Sequence, residues 1–112
     1  MYTLETRIQI DEEMRRAEAA RSEGNEGRAR VCARRAAGAA LRETLRRTSG
    51  ERIPTSAFDL LRGAREFSGL SERSRLAVER LLQKVDEGYS LPQDWDLIAE
   101  ARALITELET IS

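Results

Sequence analysis

Apolar side chains recur about once per helical turn along most of the chain, and Gly or Pro residues interrupt this pattern at four places. The interruptions predict five helices over residues 3–23, 26–47, 55–67, 72–86 and 93–111. Short loops between amphipathic helices are typical of an antiparallel up-down bundle. We therefore expect an all-α fold, a four- to five-helix bundle, formed by residues 1–112 as a single domain.

The second predicted helix carries small residues along one side. Its stripe consists of Ala29, Ala33, Ala36, Ala37 and Ala40. Small side chains at this spacing allow neighbouring helices to approach closely, so we predict that this helix is central. The last helix has the most regular apolar pattern, in steps of four and three from Leu97 to Ile111.

Alanine dominates the apolar composition, since the chain has 15 Ala and only five aromatic residues. A core built from Ala has little volume per residue and is easily under-filled. Self-association would stabilise such a domain. We therefore expect a homo-oligomer, most simply a dimer.

Charge is distributed unevenly although the net charge is only −1. Residues 28–47 contain seven Arg against one Glu, and residues 86–112 contain seven acidic residues against one Arg. The simplest interpretation is that the two blocks face each other across a helix pair. The alternative is that one block remains free to bind a partner.

Four arginines of the second helix, Arg28, Arg35, Arg42 and Arg46, form what we call the Arg stripe. They fall within about 40° of one another on a helical projection and span about 27 Å. Such a stripe could follow the phosphates of a nucleic acid. However, the chain is slightly acidic and no aromatic residues alternate with these Arg residues for base stacking. A solvated face, or one paired with the acidic last helix, is the other interpretation.

Arg34 differs from the Arg stripe because its helical angle places it on the apolar flank of the same helix. A buried guanidinium needs compensation for its charge. We predict a structural ion pair with Asp94, Asp96 or Glu100 near the start of the last helix.

The chain contains no histidine. This excludes Ser-His and Cys-His nucleophile pairs and most zinc sites. We expect no catalytic residue, metal or cofactor, and a single cysteine, Cys32, that is a small core residue rather than a reactive thiol. The lack of a long apolar run argues against a membrane span, and the lone cysteine suggests a reducing, cytoplasmic location.

The order of the predicted helices resembles the HEPN (higher eukaryote and prokaryote nucleotide-binding) domain over most of the chain. The likeness rests on the opening hairpin, the small-residue segment 33–41, the shorter fourth helix and residues 89–92 before the last helix. Active HEPN ribonucleases carry an Arg and, a few residues later, a His near that position, whereas residues 87–92 contain neither. The resemblance implies a non-catalytic member, such as a dimer or an accessory to a nucleotidyltransferase-type partner.

Two functional hypotheses follow from the sequence. The first is a non-enzymatic interaction module that self-associates and binds a protein partner. The second is nucleic-acid or nucleotide binding through the Arg stripe, in a catalytically inactive HEPN-like domain. An enzyme that uses Asp or Glu side chains without histidine is a third, less favoured option.

Overall fold

The structure is a computed structural model that describes residues 2–48, 53–83 and 95–111. These residues form five α-helices and contain no strand, which confirms the all-α prediction. The helices are α1 (Leu4–Ser22), α2 (Glu26–Thr48), α3 (Ala57–Ala64), α4 (Glu72–Leu82) and α5 (Leu97–Ile111).

Helix α2 lies at the centre, because α1, α3 and α5 all pack against it. Helix α4 packs against α5 and, less closely, against α3. The five alanines predicted to face inward are completely buried. Buried apolar side chains from all five helices join one cluster, so the prediction of a central, small-residue helix is confirmed.

A tight turn joins α1 to α2. Gly24 has φ of 81°, a left-handed conformation that Gly adopts without steric cost. The amide of Asn25 then donates to the carbonyl of Ala20, and its Oδ1 accepts from the amide of Arg28 at 3.0 Å. The first bond closes α1 and the second caps α2, as expected for a helical hairpin.

Two helices begin where a side chain satisfies the first free amides. Ser71 caps α4 by accepting from the amide of Ser74. Helix α3 begins at Ala57, two residues later than expected, because Ser56 accepts from the amide of Asp59 and serves as its cap. This helix also ends earlier, at Ala64.

The last two helices are shorter than predicted. Helix α4 ends at Leu82 because Gln83 is extended, with φ of −63° and ψ of 122°. Helix α5 begins at Leu97 after Asp96, whose Oδ1 accepts from the amide of Ala99 at 3.1 Å. The expected end of the fourth helix at residue 86 and the expected start of the fifth at residue 93 lie outside the described residues.

The start of α1 is held by residues far away in sequence. The hydroxyl of Tyr2, which is buried, donates to the carbonyl of Ile105 at 2.5 Å. Arg7 lies over the Tyr2 ring and pairs with Glu109. Burial, followed by the nearby Glu109 carboxylate, raises the pKa of the Tyr2 hydroxyl. We call this set of contacts the N-terminal clamp.

A buried carboxylate completes the clamp. Glu43 is only 2% exposed, and its Oε1 accepts from the amide of Thr3 at 2.9 Å. Its Oε2 pairs with Arg46 and lies 3.6 Å from Arg47. Burial opposes ionisation, but the Thr3 amide and hydroxyl and the Arg46 guanidinium outweigh it and lower the pKa of Glu43 to about 2.

Candidate interaction surface on helix α2

The solvent-facing part of α2 is narrow and basic. Because three helices pack around α2, the sides carrying its Ala, Cys and Leu residues are covered. Arg28, Arg35 and Arg46 are exposed, and Arg42 is half-buried. The Arg stripe is therefore accessible, and Val31 at 42% exposure is the large apolar side chain beside it.

The members of the Arg stripe differ in what they contact. Within the described parts of the chain, no carboxylate oxygen lies within 4 Å of the Arg28 or Arg35 guanidinium. Arg42 donates to the carbonyl of Thr55 at 2.9 Å, and Arg46 pairs with the buried Glu43. Arg28 and Arg35 thus have neither a carboxylate nor a carbonyl partner among the described residues.

The acidic residues of the last helix do not compensate the Arg stripe, although α2 and α5 pack together. Glu100, which is buried, pairs with Arg73 and Arg80 of α4 at 2.5 and 2.7 Å. Glu107 accepts from the hydroxyls of Ser71 and Ser74. The prediction that the basic and acidic blocks face each other is therefore wrong for the described residues.

Two further acids of this region pair with α1. Asp96 lies 2.9 Å from Arg21, and Glu109 pairs with Arg7. Burial disfavours the charged form of Asp96, but the Ala99 amide and Arg21 outweigh it and lower its pKa. The carboxylates of α5 are therefore committed to α1 and α4.

Arg34 is buried, as predicted, but its expected ion pair does not form with Asp96 or Glu100. Asp94 lies outside the described residues. The guanidinium instead donates to the carbonyls of Leu81 and Gln83, at 2.7 and 2.9 Å.

This contact compensates the charge in a different way. The last carbonyls of a helix are unpaired and carry the negative end of the helix dipole. Arg34 therefore caps the C-terminus of α4, and its side chain also lies 5.1 Å from the centre of the Phe58 ring. Burial, followed by the nearby Arg30, lowers the pKa of the Arg34 guanidinium.

A groove that the sequence did not predict lies beside the Arg stripe. It is about 320 Å³ in volume and runs between α2 and the start of α3, and we call it the α2–α3 groove. Its lining consists of Val31, Arg34, Arg35, Thr55, Ser56, Ala57 and Phe58. The groove therefore places apolar side chains next to one of the two unpaired guanidinium groups of the stripe.

Close packing of α3 on α2 forms this groove. A Cβ atom at Gly38 would lie 3.3 Å from the Cα and Cβ atoms of Ala57, so this glycine permits the close approach. Phe58, at the start of α3, is only half-buried. Its ring lies between Arg34 and Arg62, whose guanidinium carbons are 5.1 and 5.8 Å from the ring centre.

Three further features were considered from the sequence: the cysteine, metal binding and a membrane span. Cys32 is buried, as predicted for a small core residue. Residues 2–48, 53–83 and 95–111 contain no group of three or more Cys, Asp or Glu side chains that could hold a metal ion. In the same residues, no helix is long and apolar enough to cross a bilayer.

Comparisons with known proteins identify no relative. The chain matches no protein-family profile, no curated protein and no solved structure.

Proposed function

We propose that this chain is a non-enzymatic interaction module that binds an acidic segment of a protein partner along α2. The observation that carries the proposal is the pair of exposed guanidinium groups, Arg28 and Arg35, that have no carboxylate partner among the described residues. Many other exposed arginines of the described chain do have such partners, for example Arg65, which lies 2.8 Å from Glu79. The absence of histidine supports a binding role rather than catalysis.

The spacing of the Arg stripe suits a helical or extended acidic segment. Arg28, Arg35 and Arg42 are seven residues apart, which corresponds to about 10.5 Å along the helix. Acidic residues two helical turns apart on a partner helix have the same spacing. Each exposed ion pair would contribute little alone, but charge complementarity favours the correct partner and speeds association.

The α2–α3 groove favours a protein partner over a nucleic acid. Val31, Ala57 and Phe58 offer an apolar surface for one side chain of the partner, next to Arg35. Peptide segments commonly dock by placing such an anchor in a groove and charged residues around it. Phe58 is poorly suited to base stacking, because Arg34 and Arg62 already lie against its ring.

Selection from a random peptide display library against the immobilised protein tests this proposal. We expect enrichment of peptides that combine several acidic residues with one large apolar residue. The double variant Arg28→Glu, Arg35→Glu should lose these peptides, because like charges then face each other. The matched control is Arg15→Glu, Arg75→Glu, since these arginines are also exposed but lie on α1 and α4 and pair with no buried carboxylate. The control should retain binding.

Labelled single-stranded RNA and duplex DNA, measured across a salt series, test the alternative. Binding that weakens steeply with salt and is lost in the Arg28→Glu, Arg35→Glu variant would favour nucleic-acid recognition, in line with a HEPN-like domain. That result, or a selection without acidic enrichment, would overturn the acidic-segment proposal.

A further inference from the structure

Helix α1 carries an apolar ridge that nothing in the described residues covers. Leu4 is 75% exposed and Ile8 is 55% exposed, and they lie one turn apart on the outer side of α1. Most large apolar side chains of the described chain are buried or half-buried, so two adjacent exposed ones are unusual. Single exposed apolar residues need no explanation, but a pair on one helix face indicates a contact surface.

A groove lies on the adjoining flank of the same helix. Helices α1 and α5 both pack on α2 and meet each other mainly through long side chains, as in the Arg7–Glu109 and Arg102–Glu18 ion pairs. This leaves a valley of about 220 Å³ between them. Its floor consists of Ile10, Met14 and Ile105, and its rim consists of Arg7, Asp11, Arg102 and Thr106. We call it the α1–α5 groove. Its volume is below the range of about 300–1,000 Å³ usual for small-molecule sites, so it fits a side chain better than a ligand.

We propose that a second copy of this chain docks antiparallel along α1, with the Leu4 side chain of each copy seated in the α1–α5 groove of the other. When two identical helices pack antiparallel about a twofold axis, each residue of one copy faces a different residue of the other. All facing pairs then have the same midpoint in the residue numbering. The apolar pair Leu4 and Met14 has its midpoint at Gln9. The oppositely charged pair Arg7 and Asp11 has the same midpoint.

A single twofold axis at the level of Gln9 therefore brings both kinds of pair together, and each pair occurs twice in the dimer. It places Leu4 of one copy against Met14 of the other, and Arg7 of one copy against Asp11 of the other. Asp11 has 68% of its side chain exposed and Arg7 has 36%. Within one chain they lie 4.0 Å apart and Arg7 also pairs with Glu109, so the contact between copies would add to these ion pairs rather than replace them. Ile8 lies one residue from the axis, so the Ile8 side chains of the two copies lie side by side and help to exclude water from the contact.

This inference does not depend on the acidic-segment proposal, because it uses α1 and α5 rather than the exposed side of α2. The Arg28→Glu, Arg35→Glu variant should therefore dimerise normally. The two proposals can fail separately.

Light scattering over a concentration series provides the first test. We expect the mass to rise from that of the chain, 12.7 kDa, towards twice that value. The variant Leu4→Glu, Ile8→Glu should raise the dissociation constant by about tenfold or more, and Asp11→Arg should raise it as well. Leu76→Glu is the matched control, because Leu76 is 44% exposed but lies on α4. All three changes are at exposed positions, so circular dichroism should show an unchanged helical fold.

Oxidative cross-linking provides the second test. Ile8→Cys should form a covalent dimer, because a residue next to a twofold axis lies close to its own copy. The native Cys32 is buried and should not interfere, and Leu76→Cys serves as the control. The proposal would be overturned by a mass of 12.7 kDa at every concentration, or by a dimer that tolerates the Leu4 and Ile8 changes.

Discussion

Replacing Arg34 with Met removes a buried cation whose partners are the last carbonyls of α4. The carbonyls of Leu81 and Gln83, now 2.7 and 2.9 Å from the guanidinium, would lose their donor. An unsatisfied buried acceptor costs about 1–3 kcal/mol, and the contact with Phe58 contributes about 0.5–1 kcal/mol more. Part of this loss of stability is offset, because the Met side chain does not carry the cost of moving a charged guanidinium from water into the protein. We expect a net destabilisation of about 1–3 kcal/mol.

Urea unfolding followed by circular dichroism and by the fluorescence of the single tryptophan, Trp95, measures this change. Arg35→Met is the control, because Arg35 is adjacent in sequence but exposed, and the change should stay within about 0.5 kcal/mol. Amide hydrogen exchange in the last turn of α4 should also accelerate in Arg34→Met. An Arg34→Met protein with the wild-type unfolding midpoint and unchanged exchange in α4 would refute the capping role.

Three other perturbations test the packing and the buried carboxylate. Since the pKa of Glu43 is lowered from 4.5 to about 2, its ionised form stabilises the fold above pH 4.5, and this contribution is lost as the pH falls towards 2. The stability gap between wild type and Glu43→Gln, measured by urea unfolding, should therefore shrink across that range, and a constant gap would contradict the assignment. Gly38→Leu should destabilise by roughly 1–3 kcal/mol, because even its Cβ would lie 3.3 Å from Ala57. An unchanged melting temperature would show that α3 moves away freely. Leu104→Ala should cost about 2–5 kcal/mol, since Leu104 is fully buried, and a loss below 1 kcal/mol by urea unfolding would argue against a filled core at this point.

Local features of the fold were predictable from the sequence. The 3.6-residue period located all five helices, and the short polar residues Asn25 and Ser71, which follow the glycine interruptions, cap α2 and α4. Such signals depend on residues within one turn of each other. The start of α3 was harder to place, since Thr55 and Ser56 are both suitable caps and only tertiary packing chooses between them.

Contacts between helices explain the predictions that were wrong. The Arg stripe is accessible, but the sequence could not show which helix the acids of α5 face. Asp96, Glu100 and Glu107 lie in steps of four and seven, so they share one side of α5, and Glu100 and Glu107 meet α4. Arg34 lies on the predicted flank, but its partners are backbone carbonyls, which every residue has and no sequence pattern reveals.

The α2–α3 groove was missed for a related reason. Forming it requires α3 to cross α2 at Gly38, and the sequence gives the small residue but not the helix that uses it. Phe58 fits the apolar pattern of a core residue, yet it lines the α2–α3 groove and is therefore half-buried.

The N-terminal clamp has a consequence for the order in which the chain folds. The Tyr2–Ile105 hydrogen bond joins residues 103 positions apart, so it can form only when nearly the whole chain is available. During synthesis, α1 and α2 can pair early through their local hairpin, and Glu43 can already hold the Thr3 amide. The contacts of Tyr2 and Arg7 must wait for α5. A nascent chain stalled before α5 should therefore contain a docked hairpin in which Tyr2 is not yet buried, and the fluorescence of Tyr2 or its chemical labelling would report that difference.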